Sequence, residues 1–218
     1  GAFLYYSDSD RRHWDVNGPH FLGSIVHHLV LDHRDNKTLL ASVQSRQSGA
    51  TIYRSEDFGK SWNPALKAPA FPKDKLKRKV DHIYYLVPGH DNEGKVWYAG
   101  TSPQGLFRSE DGGKTWNSVA GFNSNPHWEK WTAKSPDGYP KVPKLHSILI
   151  DPMDKNHMYI GMSYGGIFES KDQGEIWEPL NSGLKADYLK GSPKYGHDPH
   201  SLIFHPFEPE RLYQQNHC

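Results

Sequence analysis

An eight-residue pattern, Ser-x-Asp-x-Gly-x-x-Trp, occurs three times in this chain. The copies are Ser55-Glu56-Asp57-Phe58-Gly59-Lys60-Ser61-Trp62, Ser109-Glu110-Asp111-Gly112-Gly113-Lys114-Thr115-Trp116 and Ser170-Lys171-Asp172-Gln173-Gly174-Glu175-Ile176-Trp177. Each follows an aromatic residue two positions before its Ser, at Tyr53, Phe107 and Phe168. A decayed copy runs from Ser7 to Trp14, with the same Ser-to-Trp spacing but without the Asp and Gly. A recurring motif of this kind signals one supersecondary unit stacked against copies of itself. Its chemistry reads as a β-hairpin. The strand ends at Ser, the Asp carboxylate folds back onto turn amides, and Gly takes a φ > 0 position. The Thr or Ser position starts the return strand, and Trp packs its ring between sheets. On this reading Ser55, Asp57, Gly59, Trp62, Ser109, Asp111, Gly113, Trp116, Ser170, Asp172, Gly174 and Trp177 are structural, because turn chemistry accounts for them fully.

This pattern is the Asp box, and the chain resembles the Asp-box (BNR-repeat) propeller superfamily of sialidases, sortilin-type receptors, xyloglucanases and photosystem assembly factors. It looks most like a bacterial group of sialidase-like, glycosyl-hydrolase-like proteins with BNR repeats, through Gly1-Ala2-Phe3 and His13-Trp14-Asp15-Val16-Asn17-Gly18-Pro19-His20. The resemblance covers the whole chain and implies an all-β propeller of four-stranded antiparallel blades. For a true sialidase it would also imply three arginines clamping the substrate carboxylate, a Tyr with a Glu partner, and an Asp acid. None of these is recognisable here.

A second pattern lies upstream of each box. His27-His28-Leu29-Val30-Leu31-Asp32 aligns with His146-Ser147-Ile148-Leu149-Ile150-Asp151 and with His200-Ser201-Leu202-Ile203-Phe204-His205, and His82-Ile83-Tyr84-Tyr85-Leu86-Val87-Pro88 is placed in the same frame. Such near-continuous apolar runs suit a strand buried on both faces, here strand A, the innermost of each blade. Strand B follows at Thr38–Val43, Val96–Thr101, His157–Met162 and Arg211–Gln215, strand C carries Ile52, Leu106 and Ile167, and strand D begins at the box Trp. The chain then reads as a single propeller domain over 1–218. It has a half blade at 1–18, blades at about 24–66, 80–120 and 144–180, and a half blade at 199–218. Two closures are open: the halves pair into a four-bladed ring, or the arc is part of a six- or seven-bladed ring, which the resemblance favours.

Composition agrees with an all-β chain of short strands. Hydrophobic residues are 35%, yet Trp 7, Tyr 12 and Phe 9 supply large buried areas, and Gly 20 with Pro 16 means many turns. Lys plus Arg is 26 against 25 for Asp plus Glu, a net charge of +1. This balance gives no general electrostatic drive toward nucleic acid or membrane, and no apolar run approaches the roughly 18 residues that span a bilayer. Cys218 is the single cysteine, so no disulfide framework is expected. Asn36-Lys37-Thr38 is a lone glycosylation triplet. The stretch opens on Gly1 with no visible signal peptide, which leaves the compartment open with the cytoplasm slightly favoured.

The three connections between blades are long, roughly Ala65 to Asp81, Ala120 to Leu145 and Leu180 to Pro199, and all fall on the face where strand A begins. Long loops in a compact domain are usually functional or disordered, which nominates that face as the working one. His27, His82, His146 and His200 lie at its channel mouth. They read either as ligand-binding imidazoles, with a metal as a lesser alternative, or as rings packed between blades. Trp128, Trp131 and Tyr139 on the second loop read either as a stacking platform for a sugar or as rings buried by the loop itself. Asp198 stands at the rim, placed to act as a general acid. The run from Lys73 to Lys79 reads first as a solvated charge run and second as an attractor of carboxylated or phosphorylated ligands. These features predict a carbohydrate or anionic small-molecule ligand and no cofactor. The enzyme reading is a glycoside hydrolase of the exo-α-sialidase type. The alternative is a non-catalytic binding or assembly scaffold resembling sortilin-type or photosystem-assembly propellers.

Overall fold

A computed structural model of the chain describes residues 1–73, 77–131, 142–191 and 193–216. Strands β1 (Ala2–Ser7) and β2 (Trp14–His20) pair as a two-stranded sheet. Three four-stranded antiparallel blades follow in simple sequential order. The first is β3 (Ile25–Leu31), β4 (Leu39–Ser45), β5 (Gly49–Ser55) and β6 (Asn63–Pro64). The second is β7 (His82–Pro88), β8 (Trp97–Ser102), β9 (Gly105–Ser109) and β10 (Asn117–Ser118). The third is β11 (Leu145–Ile150), β12 (Met158–Met162), β13 (Gly166–Ser170) and β14 (Glu178–Pro179). Strands β15 (Pro199–Phe204) and β16 (Leu212–Asn216) form the final pair. Among its described residues, the connection after β10 holds a helical turn, α1 (Ala120–Asn123), and a 3-10 turn at Trp128–Lys130. No helix among the described residues is long and apolar enough to cross a membrane.

The leading strands β3, β7, β11 and β15 pack one on the next, so the blades stand side by side around a common axis. The two half blades remain separate sheets, and among the described residues they do not combine into a fourth blade. The arc is open.

Two apolar cores hold it together, and both lie between blades. Leu40, Ile52, Ile83, Leu86, Trp97 and Phe107 join the first blade to the second. Tyr98, Leu106, Phe122, Leu145, Ile160 and Phe168 join the second to the third. A side chain of this size contributes about 1.5–3 kcal/mol on full burial. The strand expected to be buried on both faces, strand A, is only half-buried in the first blade, with Ile25 and Leu31 exposed. The second strand of each blade is the enclosed one: every residue of β8 is buried, and so are Leu39 to Val43 of β4. The cause is geometric. Strand A turns one face to the central channel, whereas strand B is covered by a blade on either side.

The Asp boxes close the outer hairpins as their chemistry requires. Ser55 Oγ donates to Asp57 Oδ1 at 2.7 Å and accepts the Gly59 amide at 2.7 Å, while the Ser61 amide and hydroxyl donate to the two Asp57 oxygens at 2.9 and 2.6 Å. The second box repeats the set with Ser109, Asp111, Gly113 and Thr115. The third keeps the backbone bonds but has Ile176 where the others have a hydroxyl. Gly59, Gly113 and Gly174 take φ of +80°, +89° and +93°, and the residue before each is also left-handed. Trp116 and Trp177 are buried and donate their indole N–H groups to Gly113 and Gly174 carbonyls. Trp62 departs from the expected burial and is half-exposed. Each box Trp packs against the preceding blade, and the blade before Trp62 is the thin β1–β2 pair, which offers it His20 and the following Phe21.

Candidate functional site at the channel mouth

A β-bulge interrupts the leading strand of all three full blades and of the final half blade. The register shifts between Val26 and His28, Ile83 and Tyr85, Leu145 and Ser147, and Pro199 and Ser201. A bulge leaves one residue unpaired and re-aims its side chain. The equivalent residues are therefore His27, Tyr84, His146 and His200. This corrects the frame in which His82 was equivalent to the other three histidines. His82 lies two residues earlier on β7, and Tyr84 occupies the repeated position. The match of Tyr85-Leu86-Val87 to His28-Leu29-Val30 is the sequence signal that would have found it.

These residues form a continuous rim. The His27 ring meets His82 edge-on with centroids 4.8 Å apart and lies 5.1 Å from Tyr84. Lys144 Nζ sits 4.8 Å above the Tyr84 ring. From there the rim descends into a cavity of about 460 Å3 lined by Tyr84, Lys144, His146, Ser163, Tyr164, Asp198 and His200, with Val142 and Pro199. The walls come from the start of β11, the turn between β12 and β13, and the start of β15, all on the long-loop face. The structure thus brings together three expected residues, His146, Asp198 and His200. Tyr84, Lys144, Ser163 and Tyr164 join them without having been singled out by sequence. His27 and His82 lie on the adjoining rim, outside the cavity itself.

The polar groups are arranged around a buried carboxylate. Asp198 is 7% exposed; one oxygen accepts the Tyr164 amide at 3.3 Å and the other lies 3.8 Å from His200 Nε2. His146 Nδ1 is 3.0 Å from Ser147 Oγ, and its Nε2 is buried without a hydrogen-bond partner. Burial holds the His146 imidazole below its ordinary pKa, against the opposing pull of the nearby Pro199 backbone and then of Asp198, and burial followed by the neighbouring His27 does the same for His82. Both shifts favour the neutral ring, which donates at one nitrogen and accepts at the other. No group of three or more His, Cys, Asp or Glu among the described residues is arranged to hold a metal ion.

The second-loop aromatics divide. Trp131 is 3% exposed and packs on Phe122 and Phe168, with centroids 5.2 and 5.0 Å away. It is a core residue and offers no face to a ligand, which corrects the stacking expectation for this ring. Trp128 is half-buried and donates its indole N–H to the Gln104 carbonyl at 3.1 Å. Tyr139 lies outside the described residues.

Blades around an axis, closed outside by Asp-box hairpins, define an Asp-box β-propeller, of which this chain forms an open arc. The BNR-Asp box repeat model matches residues 52–64, the hairpin of the first blade. Among curated proteins, the chain is 32% identical over 87 residues to the oligoxyloglucan-reducing end-specific xyloglucanase of Emericella nidulans, covering 39% of this chain and 9% of that protein. It is 26% identical over 122 residues to vacuolar protein sorting/targeting protein 10 of Colletotrichum graminicola, covering 56% of this chain and 6% of that protein. The chain thus spans less than a tenth of either relative. In fold it is similar to the GH74 xyloglucanase of Xanthomonas campestris, with a TM-score of 0.56 at 19% identity over 81% of this chain and 25% of that one. An ancestral GH74 enzyme gives 0.53 at 16% identity over 88% and 22%.

Proposed function

We propose that the channel mouth on the long-loop face binds a glycan, and that the residues of this chain bind it without cleaving it. The observation that carries the reading is the convergence, in one cavity, of an imidazole whose buried Nε2 makes no well-formed hydrogen bond (His146), a buried carboxylate (Asp198), an ammonium (Lys144) and an aromatic ring (Tyr84). Sugars present alternating hydroxyls and C–H faces, which such a mixture of donors, acceptors and ring surface complements. The similarity to xyloglucanases makes a β-glucan oligosaccharide the first ligand to test.

Binding is favoured over hydrolysis on a count of carboxylates. Glycosidases use two, about 5–9.5 Å apart, and among the described residues lining this cavity Asp198 is the one carboxylate. That also favours a non-catalytic module over the exo-α-sialidase reading. Calorimetric titration of the chain with a xyloglucan oligosaccharide tests the proposal. Binding should occur without release of reducing ends, and His146→Ala should weaken it about tenfold while leaving the melting temperature within a few degrees. An oligosaccharide that does not bind, or that binds equally to the variant, sinks the reading in favour of a scaffold that engages another partner.

A further inference from the structure

The two terminal sheets each lack the half that the other supplies. In every full blade the second strand pairs with both the first and the third. β16 stands where a second strand stands, yet among the described residues its one partner is β15. β1 ends at Ser7 of the decayed box, which makes it a third strand, and its one partner there is β2. A free strand edge is a template for pairing and is normally blunted by charge. Neither β1, Ala-Phe-Leu-Tyr-Tyr-Ser, nor β16, Leu-Tyr-Gln-Gln-Asn, carries a charged residue.

The faces that accompany such a pairing are free as well. Tyr5 pairs with Val16, and Trp14 with Ser7, so Tyr5, Val16 and Trp14 share one face of the β1–β2 pair. Leu4 and Tyr6 take the other face, where Leu4 lies beside Gly59 and the Tyr6 hydroxyl donates to the Phe58 carbonyl of the first blade. Tyr5 and Trp14 hold the box positions of Phe107 with Trp116 and of Phe168 with Trp177. Those four rings are at most 5% exposed, packed with residues of the blade before them, whereas Tyr5 is 62% and Trp14 54% exposed. Tyr213 of β16 is 50% exposed, while its equivalents Leu40 and Tyr98 are fully buried with residues of the blade that follows. β15 packs on the inner strands of the third blade, β11 and β12. The outer strands β13 and β14 then face the place where a third and fourth strand would stand.

Within one molecule the two half sheets are separate, at opposite ends of three blades. We propose that a second copy of this chain completes the open blade. Its β1–β2 pair sets the Tyr5 and Trp14 face on the third blade and pairs β1 along the free edge of β16. The full blades fix the register, because the first residue of the second strand faces the box Ser: Leu39 with Ser55, Trp97 with Ser109 and Met158 with Ser170. Leu212 then faces Ser7 of the second copy. The junction is head-to-tail, and such contacts close a ring or run on as a filament. Made at both ends it closes two copies into a ring of eight blades, three from each copy and two shared, at the top of the usual range of about four to eight. Three copies would exceed that range. Nothing in this junction depends on the glycan reading of the channel mouth.

Sedimentation of the full chain over a range of concentrations tests it, and should show a monomer–dimer equilibrium with no larger species. Tyr5→Lys/Val16→Lys, at exposed positions, should weaken the dimer at least tenfold, while the diluted variant keeps the far-UV circular dichroism of the diluted wild type. For the register, chains with Ser7→Cys and chains with Leu212→Cys, both also Cys218→Ser, are mixed and oxidised. A disulfide joining the two kinds of chain is expected, since facing residues of paired strands lie within disulfide reach. A chain that stays monomeric at the highest concentration reached, or an assembly that grows past two copies, overturns the proposal. So does a double lysine variant that dimerises like the wild type, a mixture that forms no mixed disulfide, or a chain with both cysteines that links to itself as a monomer.

Discussion

Asp57 shows how little of an Asp box is about acid chemistry. Hydrogen bonds from the Ser61 hydroxyl, the Ser61 amide and the Ser55 hydroxyl together hold its carboxyl at about 2. In Asp111 burial opposes ionisation, but the bonds from Thr115 and Ser109 outweigh it and the pKa is again lowered. A group with a depressed folded pKa binds fewer protons folded than unfolded, so it stabilises the fold above its unfolded pKa of about 3.9 and loses that contribution as pH falls toward the folded value. Melting temperatures of the wild type and Asp57→Asn should therefore differ most above about pH 4 and converge near about pH 2. A gap that stays constant across that window would mean that the carboxylate's charge plays no part in the turn. The same residue-level reasoning made these turns legible in the sequence, because Ser, Asp, Gly and Trp each have one reason to stand where they do. His82 and Tyr84 were not legible in that way. Both lie on the channel side of one strand, and only the bulge, a register feature with no residue signature of its own, separates the repeated position from its neighbour.

At the scale of elements, blades are joined by more than apolar packing. Arg34, in the connection after β3, lies 7% exposed by its side chain and pairs with buried Asp32 at 2.8 Å. Its Nη1 reaches across to the second blade and donates to the carbonyls of Glu93 and Val96 at 2.9 and 3.0 Å. Removing one partner of a buried pair leaves the other charge uncompensated, at about 3–5 kcal/mol. Arg34→Ala should lose stability in that range by denaturant unfolding, and a loss below about 1 kcal/mol would show the tie to be decorative. Asp32 was read from sequence as the end of an apolar strand, and its partner was invisible there, because no other blade repeats an arginine at the matching position. Asp91 stands two residues beyond Gly89 where Arg34 stands two beyond Asp32. Strand existence and blade boundaries were legible because the pattern recurs; contacts that break the repeat were not. Trp131 illustrates the same limit. Its loop has no repeat to align with, and the burial of its ring depends on Phe122 and Phe168, which sequence does not place beside it.

At the scale of the molecule, the open arc sets both the fold's character and its candidate site. The channel strands are half-exposed because they line an open space, while the enclosed second strands carry the core. The same opening lets three of the four bulged positions reach a shared cavity on the long-loop face, where repetition supplies Tyr84, His146 and His200, with His27 on the adjoining rim, and the irregular loops supply Lys144 and Asp198. The sheet at the opposite ends of these strands, near His33 and Asp91, has its own smaller cavity of about 250 Å3 with largely apolar walls, and so provides an internal control. The direct measurement is a backbone and side-chain chemical-shift map of the chain saturated with a xyloglucan oligosaccharide. Glycan binding at the channel mouth predicts shifts concentrated at Tyr84, Lys144, His146, Ser163 and His200, with His33, Asp91 and the Asp boxes unmoved. Shifts centred on His33 and Asp91, or none at saturating ligand, would contradict it.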